Sequence, residues 1–464
     1  MLGVLAMVLA AAVSTAAIAA EGAAPPAQSP LARLEGDWDG KLDAGALKLR
    51  VVLHVHTKDG ATVTTLDSPD QNANALPAAV TLEGDQVHFT VQGAAGAFDG
   101  ALTADGAGLT GKWSGAPVAF ARLAPGAAPA APNRPQTPVK PYPYREEDVA
   151  YDNAAAHVRL GGTLTLPQGA GPFPAVVLIA GSGPHTRDEK VFGHAIFLVL
   201  ADHLTRHGIA VLRYDKRGLG QSTGDARTAT SSDFAGDAEA GVAYLKTRRE
   251  IDGRRIGLIG HSEGGIIAPM VAEQDPAVAF LVLMAGPGVP GDQIIMAQSR
   301  DIAAAAGASE AALAANAAIE RRFLDAVMAA KDQASAEQAA LEVLTGAGMP
   351  PAAADTQAKA AASDWYRFFL SYDPGPALRR LRRPVLALIG SKDLQVPPDL
   401  NLPALRDALK GDAGAQVVEM PGLNHLFQTA KTGAPSEYGD TEETLAPAAL
   451  DLITGWILAQ KPAG

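Results

Sequence analysis

The chain has 464 residues, with 38 Lys or Arg against 50 Asp or Glu, and a formal net charge of -12. Because nucleic-acid binding draws most of its affinity from cationic side chains on phosphates, this charge excludes nucleic acid as an expected partner. The lack of cysteine excludes disulfides and thiolate metal sites. The length exceeds the roughly 250–300 residues at which a single core stops growing, so two domains are expected.

Residues 1–20 are almost wholly apolar and are predicted to form a cleaved signal peptide. They end in Ala17-Ile18-Ala19, which places small residues where a signal peptidase cuts. A membrane anchor is the alternative, but an alanine-rich run of about 19 residues is marginal for a span. We therefore expect a periplasmic or secreted protein with no stable membrane insertion after cleavage.

Residues 31–123 are predicted to form a small β-rich domain. Short alternating runs such as Val87-His88-Phe89-Thr90-Val91 are separated by Gly-containing turns, one of them predicted at Phe98-Asp99-Gly100. About eight strands fit, enough for a barrel or a sandwich. Residues 124–143 carry seven prolines among alanines, which predicts a semi-rigid linker at the domain boundary.

Residues 144–464 alternate apolar strands with helical stretches, the pattern of a largely parallel sheet with helices on both faces. The fold class is therefore α/β, preceded by a small all-β domain. Five segments are predicted as buried strands, namely 176–180, 210–214, 256–260, 280–284 and 385–389. The long helical stretch before the last of these exceeds a normal crossover, which predicts a helical cap at about 287–378.

The strongest chemical signal is Gly260-His261-Ser262-Glu263-Gly264, which follows a predicted strand and precedes a helical run. The pattern G-x-S-x-G in this strand–turn–helix context is typical of a nucleophilic serine on a tight turn. Glycines on both flanks let the helix and the strand approach each other. Ser262 is therefore the predicted nucleophile.

A serine hydroxyl needs an adjacent base that is oriented by a third group. In chains with this serine turn, the acid and then the histidine follow the serine. The loop after 280–284 has no carboxylate, whereas the loop after 385–389 contains Asp393, and His425 is the one histidine beyond it. The sequence thus predicts a triad of Ser262, Asp393 and His425.

Two backbone amides are expected to bind the oxyanion of the tetrahedral intermediate. One belongs to Glu263, directly after the nucleophile, and the other to a small-residue loop at 181–184, where Ser182 is favoured over Gly181.

The returning end of the cap should pass over the carboxyl ends of the strands. This places the aromatic segment 365–370 near Ser262. Trp365 or Phe369 could wall an acyl site and admit short acids, or these rings could simply seal the cap onto the core.

Two further features have structural explanations. The loop 214–222 carries two glycines but lacks the spacing of a nucleotide site, so a turn with Asp215 paired to Arg217 is expected. His54 and His56 share one strand face, but without a clear third ligand no metal is predicted. No cofactor is expected.

These motifs together resemble the α/β-hydrolase superfamily, in particular secreted bacterial esterases of the EstD type and serine aminopeptidase-like hydrolases. The similarity covers 144 to about 458, and the opening Leu34-Glu35-Gly36-Asp37-Trp38-Asp39-Gly40 is similar to the β domain of those esterases. The resemblance implies cofactor-free ester hydrolysis with Ser262 as nucleophile, Asp393 as orienting acid and His425 as base. The substrate stays open, because the fold hosts several acyl-transfer activities.

The expected function is hydrolysis of a small-molecule carboxylic ester, with short acyl chains, through an acyl-enzyme intermediate. One alternative is an exported serine peptidase or amidase, in which Glu263 could bind a peptide terminus. The other is a ligand-binding protein whose β domain captures a sugar or lipid while the second domain is inert. Ser, Asp and His in the correct order disfavour that alternative. No particular oligomeric state is indicated.

Overall fold

The computed structural model describes residues 31–462 except 44–47, 72, 93, 95 and 130. The predicted signal peptide at 1–20 lies outside the described residues. Within the described part, every helix is too short or too polar to cross a membrane.

The first region is a closed antiparallel barrel, which decides between the barrel and the sandwich expected from the sequence. Its strands are β1 (Gly36–Asp43), β2 (Lys48–Lys58), β3 (Ala61–Ser68), β4 (Ala73–Glu83), β5 (Gln86–Val91), β6 (Ala97–Leu102), β7 (Gly108–Trp113) and β8 (Ala116–Arg122). Each strand pairs with the next, and β1 closes the barrel against β8. Alternate side chains are buried, as Val87, Phe89 and Val91 of β5 show.

The segment Phe98-Asp99-Gly100 lies within β6, so the turn predicted there is wrong. Packing explains its glycine, because a Cβ on Gly100 would collide with the ring of Phe98. That ring stacks on Phe89 with 4.7 Å between centroids and lies edge-on to Phe120 at 5.7 Å. The glycine makes room for aromatic rings in a small core.

The second region is built on an eight-stranded mixed sheet. Its strands are β9 (Arg145–Asn153), β10 (Val158–Leu166), β11 (Phe173–Ile179), β14 (Ala210–Tyr214), β15 (Ile251–His261), β16 (Val278–Met284), β17 (Val385–Gly390) and β18 (Gln416–Met420). The strand order is β18-β17-β16-β15-β11-β14-β10-β9. Strand β10 is antiparallel to both of its neighbours, β9 and β14, and all other pairs are parallel. All five predicted strands are present. A hairpin of β12 (Lys190–Val191) and β13 (His194–Ala195) follows β11.

Helices cover both faces of this sheet, and the side chains of β11 alternate between them. Val177 and Ile179 belong to one apolar core, whereas Val176 and Leu178 belong to the other. The first core includes residues of α2 (Ser231–Lys246), α3 (Gly264–Gln274) and α10 (Pro398–Leu409), and the second includes residues of α1 (Ile196–Arg206) and α11 (Pro447–Ala459). This layering confirms the α/β fold class.

The chain between β16 and β17 is helical. Its helices are α4 (Gly291–Ala305), α5 (Glu310–Ala329), α6 (Gln333–Gly346), α7 (Pro351–Ala361), α8 (Asp364–Ser371) and α9 (Gly375–Arg380). These helices share an apolar cluster of their own, which includes Phe323, Leu324, Val327 and Leu370. They form a layer over the sheet where the cap was predicted.

The proline-rich segment contacts the second region through two polar side chains. Arg134 donates hydrogen bonds to the carbonyl oxygens of Phe192, Gly439 and Thr441 at 2.8, 2.9 and 2.9 Å. Gln136 accepts from the backbone of Thr444 and donates to a neighbouring carbonyl. This part of the predicted linker is therefore bound to the α/β surface.

The barrel itself contacts the α/β region at one end. Leu49, near the start of β2, belongs to the core that contains Phe192 and Tyr438. Lys41 lies 3.1 Å from a carboxylate oxygen of Asp440. Strands β1 and β2 are antiparallel, so the last residues of β1, Lys41–Asp43, lie beside the first residues of β2 at this contact. The opposite ends of the two strands, where Gly36 pairs with Val55, therefore lie away from the α/β region.

Candidate active site

Ser262 lies in the turn between β15 and α3 with a left-handed backbone, at a φ of 54°. A Cβ on Gly260 would collide with the carbonyl oxygen of Gly264, and a Cβ on Gly264 with that of Ile179. The two glycines of the motif are thus required by close backbone approach. A non-glycine residue held at positive φ stores on the order of 1–3 kcal/mol, and here that strain falls on the predicted nucleophile.

His425 and Asp393 meet in the interior, on the loops that follow β18 and β17. The Nδ1 atom of His425 lies 2.9 Å from Oδ2 and 3.1 Å from Oδ1 of Asp393. The carboxylate also accepts hydrogen bonds from the backbone N–H groups of Gln395 and Val396, each at 2.8 Å. Both residues are nearly inaccessible to solvent, at 4% and 1% exposure. The acid is therefore fixed before any substrate arrives.

The loop of His425 is held by the residue before it. The Asn424 side-chain oxygen accepts from the backbone N–H groups of Leu426 and Gln428 at 3.0 and 2.9 Å. Asn424 is fully buried, so these bonds are shielded from water. The histidine loop is rigid for this reason.

His261 connects the serine turn to the histidine loop. One ring nitrogen contacts the carbonyl oxygen of His425 at 3.1 Å, and the other contacts Glu189 at 3.0 Å. Burial opposes a charge on His261, but the Glu189 carboxylate outweighs it and raises the pKa of His261. Burial likewise acts to raise the pKa of Glu189, yet the His261 charge and hydrogen bonds lower it overall. The two form a buried ion pair beneath Ser262 and His425.

The loop after β11 is fixed by three side chains. The Gly181 N–H donates to Glu189 at 2.6 Å, and the Gly181 carbonyl accepts from Lys216 at 2.6 Å. The ring of His185 contacts the carbonyl oxygen of Ser182 at 2.7 Å. Sequence reasoning missed all three side chains. Lys216 reaches the loop from another segment, whereas Glu189 and His185 contact the backbone of their own loop.

This arrangement distinguishes the amides expected to bind an oxyanion. The Gly181 N–H is already bonded, whereas the N–H groups of Ser182 and Glu263 have no acceptor among the residues that the structure describes. Ser182 is exposed and Glu263 follows the serine directly. The two unbonded donors are the ones named from the sequence.

A family model described as "Alpha/beta hydrolase family" matches residues 176–432, more than half of the chain. This protein belongs to the alpha/beta hydrolase family. Esterase EstD of Thermotoga maritima is 28% identical over 301 residues, which cover 65% of this chain and 64% of EstD. Thiohydrolase apmlB of Arthrinium phaeospermum is 37% identical over 87 residues, covering 18% of this chain and 27% of that protein.

Among solved structures, an esterase of Pyrococcus furiosus matches 72% of this hydrolase chain and 99% of its own, with a TM-score of 0.44 and 15% identity.

The Glu263 side chain of this hydrolase is buried and has three hydrogen-bond donors. Ser231 and the indole N–H of Trp365 each donate to Oε1 at 2.6 Å, and Lys216 lies 3.3 Å from Oε2. At 1% exposure this carboxylate is not free to bind a peptide amine. It joins the serine turn to α2 and to the cap helix α8.

Trp365 and Phe369 lie on one face of α8 with stacked rings, 5.6 Å between centroids. Trp365 is half-buried and reaches the residue beside Ser262, whereas Phe369 is buried in the core with residues of α3. A surface groove runs along an adjoining face of α8, lined by Asp364, Arg367 and Phe368 among others. That groove contains no member of the predicted triad, so it is not the acyl site.

The expected pairing of Asp215 with Arg217 is wrong. Asp215 pairs with Arg187, whose guanidinium approaches both of its carboxylate oxygens at 3.1 and 2.7 Å. Arg217 pairs with Asp237 of α2 at 2.7 and 2.8 Å. Each charge finds a partner from a distant segment with better geometry than its sequence neighbour offers.

Proposed function

We propose that this chain is a serine carboxylic-ester hydrolase that acts on short-chain esters through an acyl-enzyme intermediate. The observation that carries the proposal is the strained serine turn, in which Ser262 directly precedes the unbonded amide of Glu263. His261, on the other side of Ser262, contacts the loop of the His425–Asp393 pair. EstD of Thermotoga maritima, which is similar over 301 residues, is named an esterase.

In the proposed mechanism the Ser262 hydroxyl attacks the ester carbonyl carbon while His425 accepts its proton. The N–H groups of Ser182 and Glu263 donate to the oxyanion that forms. The intermediate collapses, the alcohol leaves with the proton from His425, and the acyl group stays on Ser262. Water then attacks the acyl-enzyme, again giving a proton to His425, and the acid departs as the serine is restored.

Asp393 accepts a hydrogen bond from the Nδ1–H group of His425 throughout this cycle. The two backbone amides on its carboxylate hold it in place, so His425 keeps one tautomer and presents Nε2 toward the reaction. No metal or redox group takes part in any of these steps.

The preference for short acids rests on Trp365. Its indole N–H donates a hydrogen bond to the carboxylate of Glu263, the residue directly after Ser262. This hydrogen bond holds a large ring near the proposed nucleophile, where the ring limits the space for an acyl chain. In an open apolar channel each methylene would contribute about 0.8 kcal/mol, so kcat/KM would rise with chain length. A wall at Trp365 removes that gain.

The alternative function is that of an amidase or peptidase in which the Glu263 carboxylate binds the amino terminus of a peptide. The surroundings of Glu263 disfavour this alternative. The carboxylate already accepts hydrogen bonds from Ser231 and Trp365 and pairs with Lys216. A peptide amine would have to displace one of these buried partners, at a cost of about 1–3 kcal/mol.

Hydrolysis of p-nitrophenyl esters from acetyl to decanoyl, beside amino-acid arylamides, tests the proposal. We expect a maximum at acetyl to butyryl, a steep fall by octanoyl, and ester activity far above amide activity. Trp365→Ala should shift the optimum to longer acids, with Phe368→Ala, a half-buried ring of α8 that lines the groove away from the predicted triad, as the control. A steady climb of kcat/KM through decanoyl contradicts the short-chain assignment, and a preference for arylamides contradicts the esterase assignment.

We also propose that the enzyme works outside the cytoplasm, in the periplasm or after secretion. The support is the apolar segment at 1–20 with its small-residue end. Fractionation of cells that produce the full chain should yield a shortened protein in the exported fraction. Full-length protein in the cytoplasm contradicts this.

A further inference from the structure

Asp37, His54 and His56 form a compact group on the barrel, away from the predicted triad. Asp37 of β1 and His54 of β2 are direct cross-strand partners. The Oδ1 atom of Asp37 lies 2.6 Å from Nδ1 of His54 and 2.7 Å from Nε2 of His56. The sequence offered no third ligand beside the two histidines, and the fold supplies one.

The outer ring nitrogens face carboxylates as well. Nε2 of His54 lies 3.2 Å from Asp67 of β3, and Nδ1 of His56 lies 3.8 Å from Glu35. Neither carboxylate is loose, because Asp67 accepts the Ala75 N–H at 2.7 Å and Glu35 accepts the Thr57 N–H at 3.1 Å. Both rings are therefore held with their inner nitrogens directed at one point.

We propose that Asp37, His54 and His56 bind a divalent transition-metal ion of the Zn²⁺ type. The three ligand atoms, one from each residue, lie within 4.8 Å of one another. Imidazole nitrogen with carboxylate oxygen suits zinc and its neighbours, whereas Ca²⁺ and Mg²⁺ prefer oxygen alone. Water completes the coordination on the exposed side.

The outer carboxylates strengthen this assignment. Histidines that bind metal usually donate their second N–H to a carboxylate or carbonyl, which fixes the tautomer and raises ligand basicity. Asp67 stands at hydrogen-bond distance from the outer nitrogen of His54, and Glu35 lies 3.8 Å from that of His56. The Asp37 oxygen lies 2.6 and 2.7 Å from the two ring nitrogens, and all three atoms lie within 4.8 Å of one another. Ligands around a tetrahedral ion need roughly 3.3 Å, so movements of each atom by under about 1 Å suffice.

The position of the site separates it from hydrolysis. Leu49, which packs into the α/β core, lies five residues before His54 on β2. At about 3.3 Å per residue this is roughly 17 Å along the strand. A bound ion would therefore join β1 to β2 at the free end of the barrel without reaching Ser262.

Isothermal titration of Zn²⁺ into chelator-treated, tag-free, full-length protein tests the proposal. We expect one saturable site per chain, with affinity lowered at least tenfold by His56→Gln and by His54→Gln. Asp67→Asn should weaken binding about 10- to 100-fold while keeping the stoichiometry, as expected for a residue that orients a ligand. His56 is half exposed, so its replacement leaves folding intact.

His88→Gln is the matched control. His88 is an equally exposed barrel histidine that contacts a single carboxylate, Asp99, at 2.7 Å. It should bind Zn²⁺ like the wild type, with unchanged far-UV circular dichroism. Absence of a saturable site in the wild type overturns the proposal, and so does an equal loss of affinity in His88→Gln and His56→Gln.

Discussion

Two of the histidine clusters in the described residues, one in the α/β region and one on the barrel, place the same kinds of side chain in different surroundings. In the α/β region His425 contacts one carboxylate, and both groups are almost fully buried. On the barrel, His54 and His56 contact three carboxylates, and their side chains are 26% and 51% exposed.

The difference lies in which ring nitrogens are engaged. The Nδ1 atom of His425 is hydrogen-bonded to Asp393, whereas the Nε2 atom of His425 has no hydrogen-bond partner in the described part of the chain. Each barrel histidine has carboxylates at both nitrogens. One free nitrogen in a dry site suits proton transfer, whereas nitrogens that converge on an exposed oxygen suit a cation.

Ser262→Ala gives the largest expected effect, because it removes the proposed nucleophile, from which His425 of the buried cluster would accept the proton. We expect kcat/KM for an acetyl ester to fall by about 10⁴- to 10⁶-fold with unchanged circular dichroism. Ser232→Ala, at an exposed position on α2, is the control and should keep wild-type activity. More than about 1% residual activity in Ser262→Ala would contradict the assignment of Ser262 as nucleophile, and with it the assignment of proton transfer to the buried histidine cluster.

Asp393→Asn should lower kcat by about 10⁴-fold, because the amide no longer holds the required tautomer of His425. The same change on the barrel, Asp99→Asn, alters an exposed carboxylate that contacts His88 and should leave kcat unchanged. Steady-state kinetics on both variants would show whether burial of the carboxylate sets its importance. Equal effects in the two variants would contradict this.

The smallest expected effect concerns stability, through the pair of His261 and Glu189. Because the pKa of His261 is raised in the folded state, the stability from its charge is fully present below the unfolded value of about 6.5. It is lost as pH rises through the folded pKa, with a slope of at most about 1.4 kcal/mol per pH unit. Glu189→Gln should flatten this decline in urea unfolding between pH 6 and 9. An unchanged slope would mean that the pair is not ionised.

Much of the fold could be predicted from local patterns. The apolar runs of β11, β15 and β16 are buried on both faces, so their composition alone identifies them. The serine turn could be predicted because its glycines are required by backbone contacts within a few residues of Ser262.

The errors concern contacts between distant segments. Gly100 indicated a turn, but it leaves room for the ring of Phe98, which stacks on Phe89 of the neighbouring strand. Asp215 and Arg217 are neighbours in sequence, yet their partners come from the loop after β11 and from α2. Asp37 became visible as a third group beside His54 and His56 only once β1 and β2 were paired. Single-sequence patterns carry no information on such pairings.

Labelling with a fluorophosphonate shows whether Ser262 is an activated nucleophile, because the probe bonds covalently to an activated serine as fluoride leaves. Intact-mass and peptide mass spectrometry should show one adduct per chain, located on Ser262, and a much slower reaction in His425→Ala. Ser262→Ala should remain unlabelled. An adduct on another residue, or wild-type protein that stays unlabelled while folded, would contradict the account.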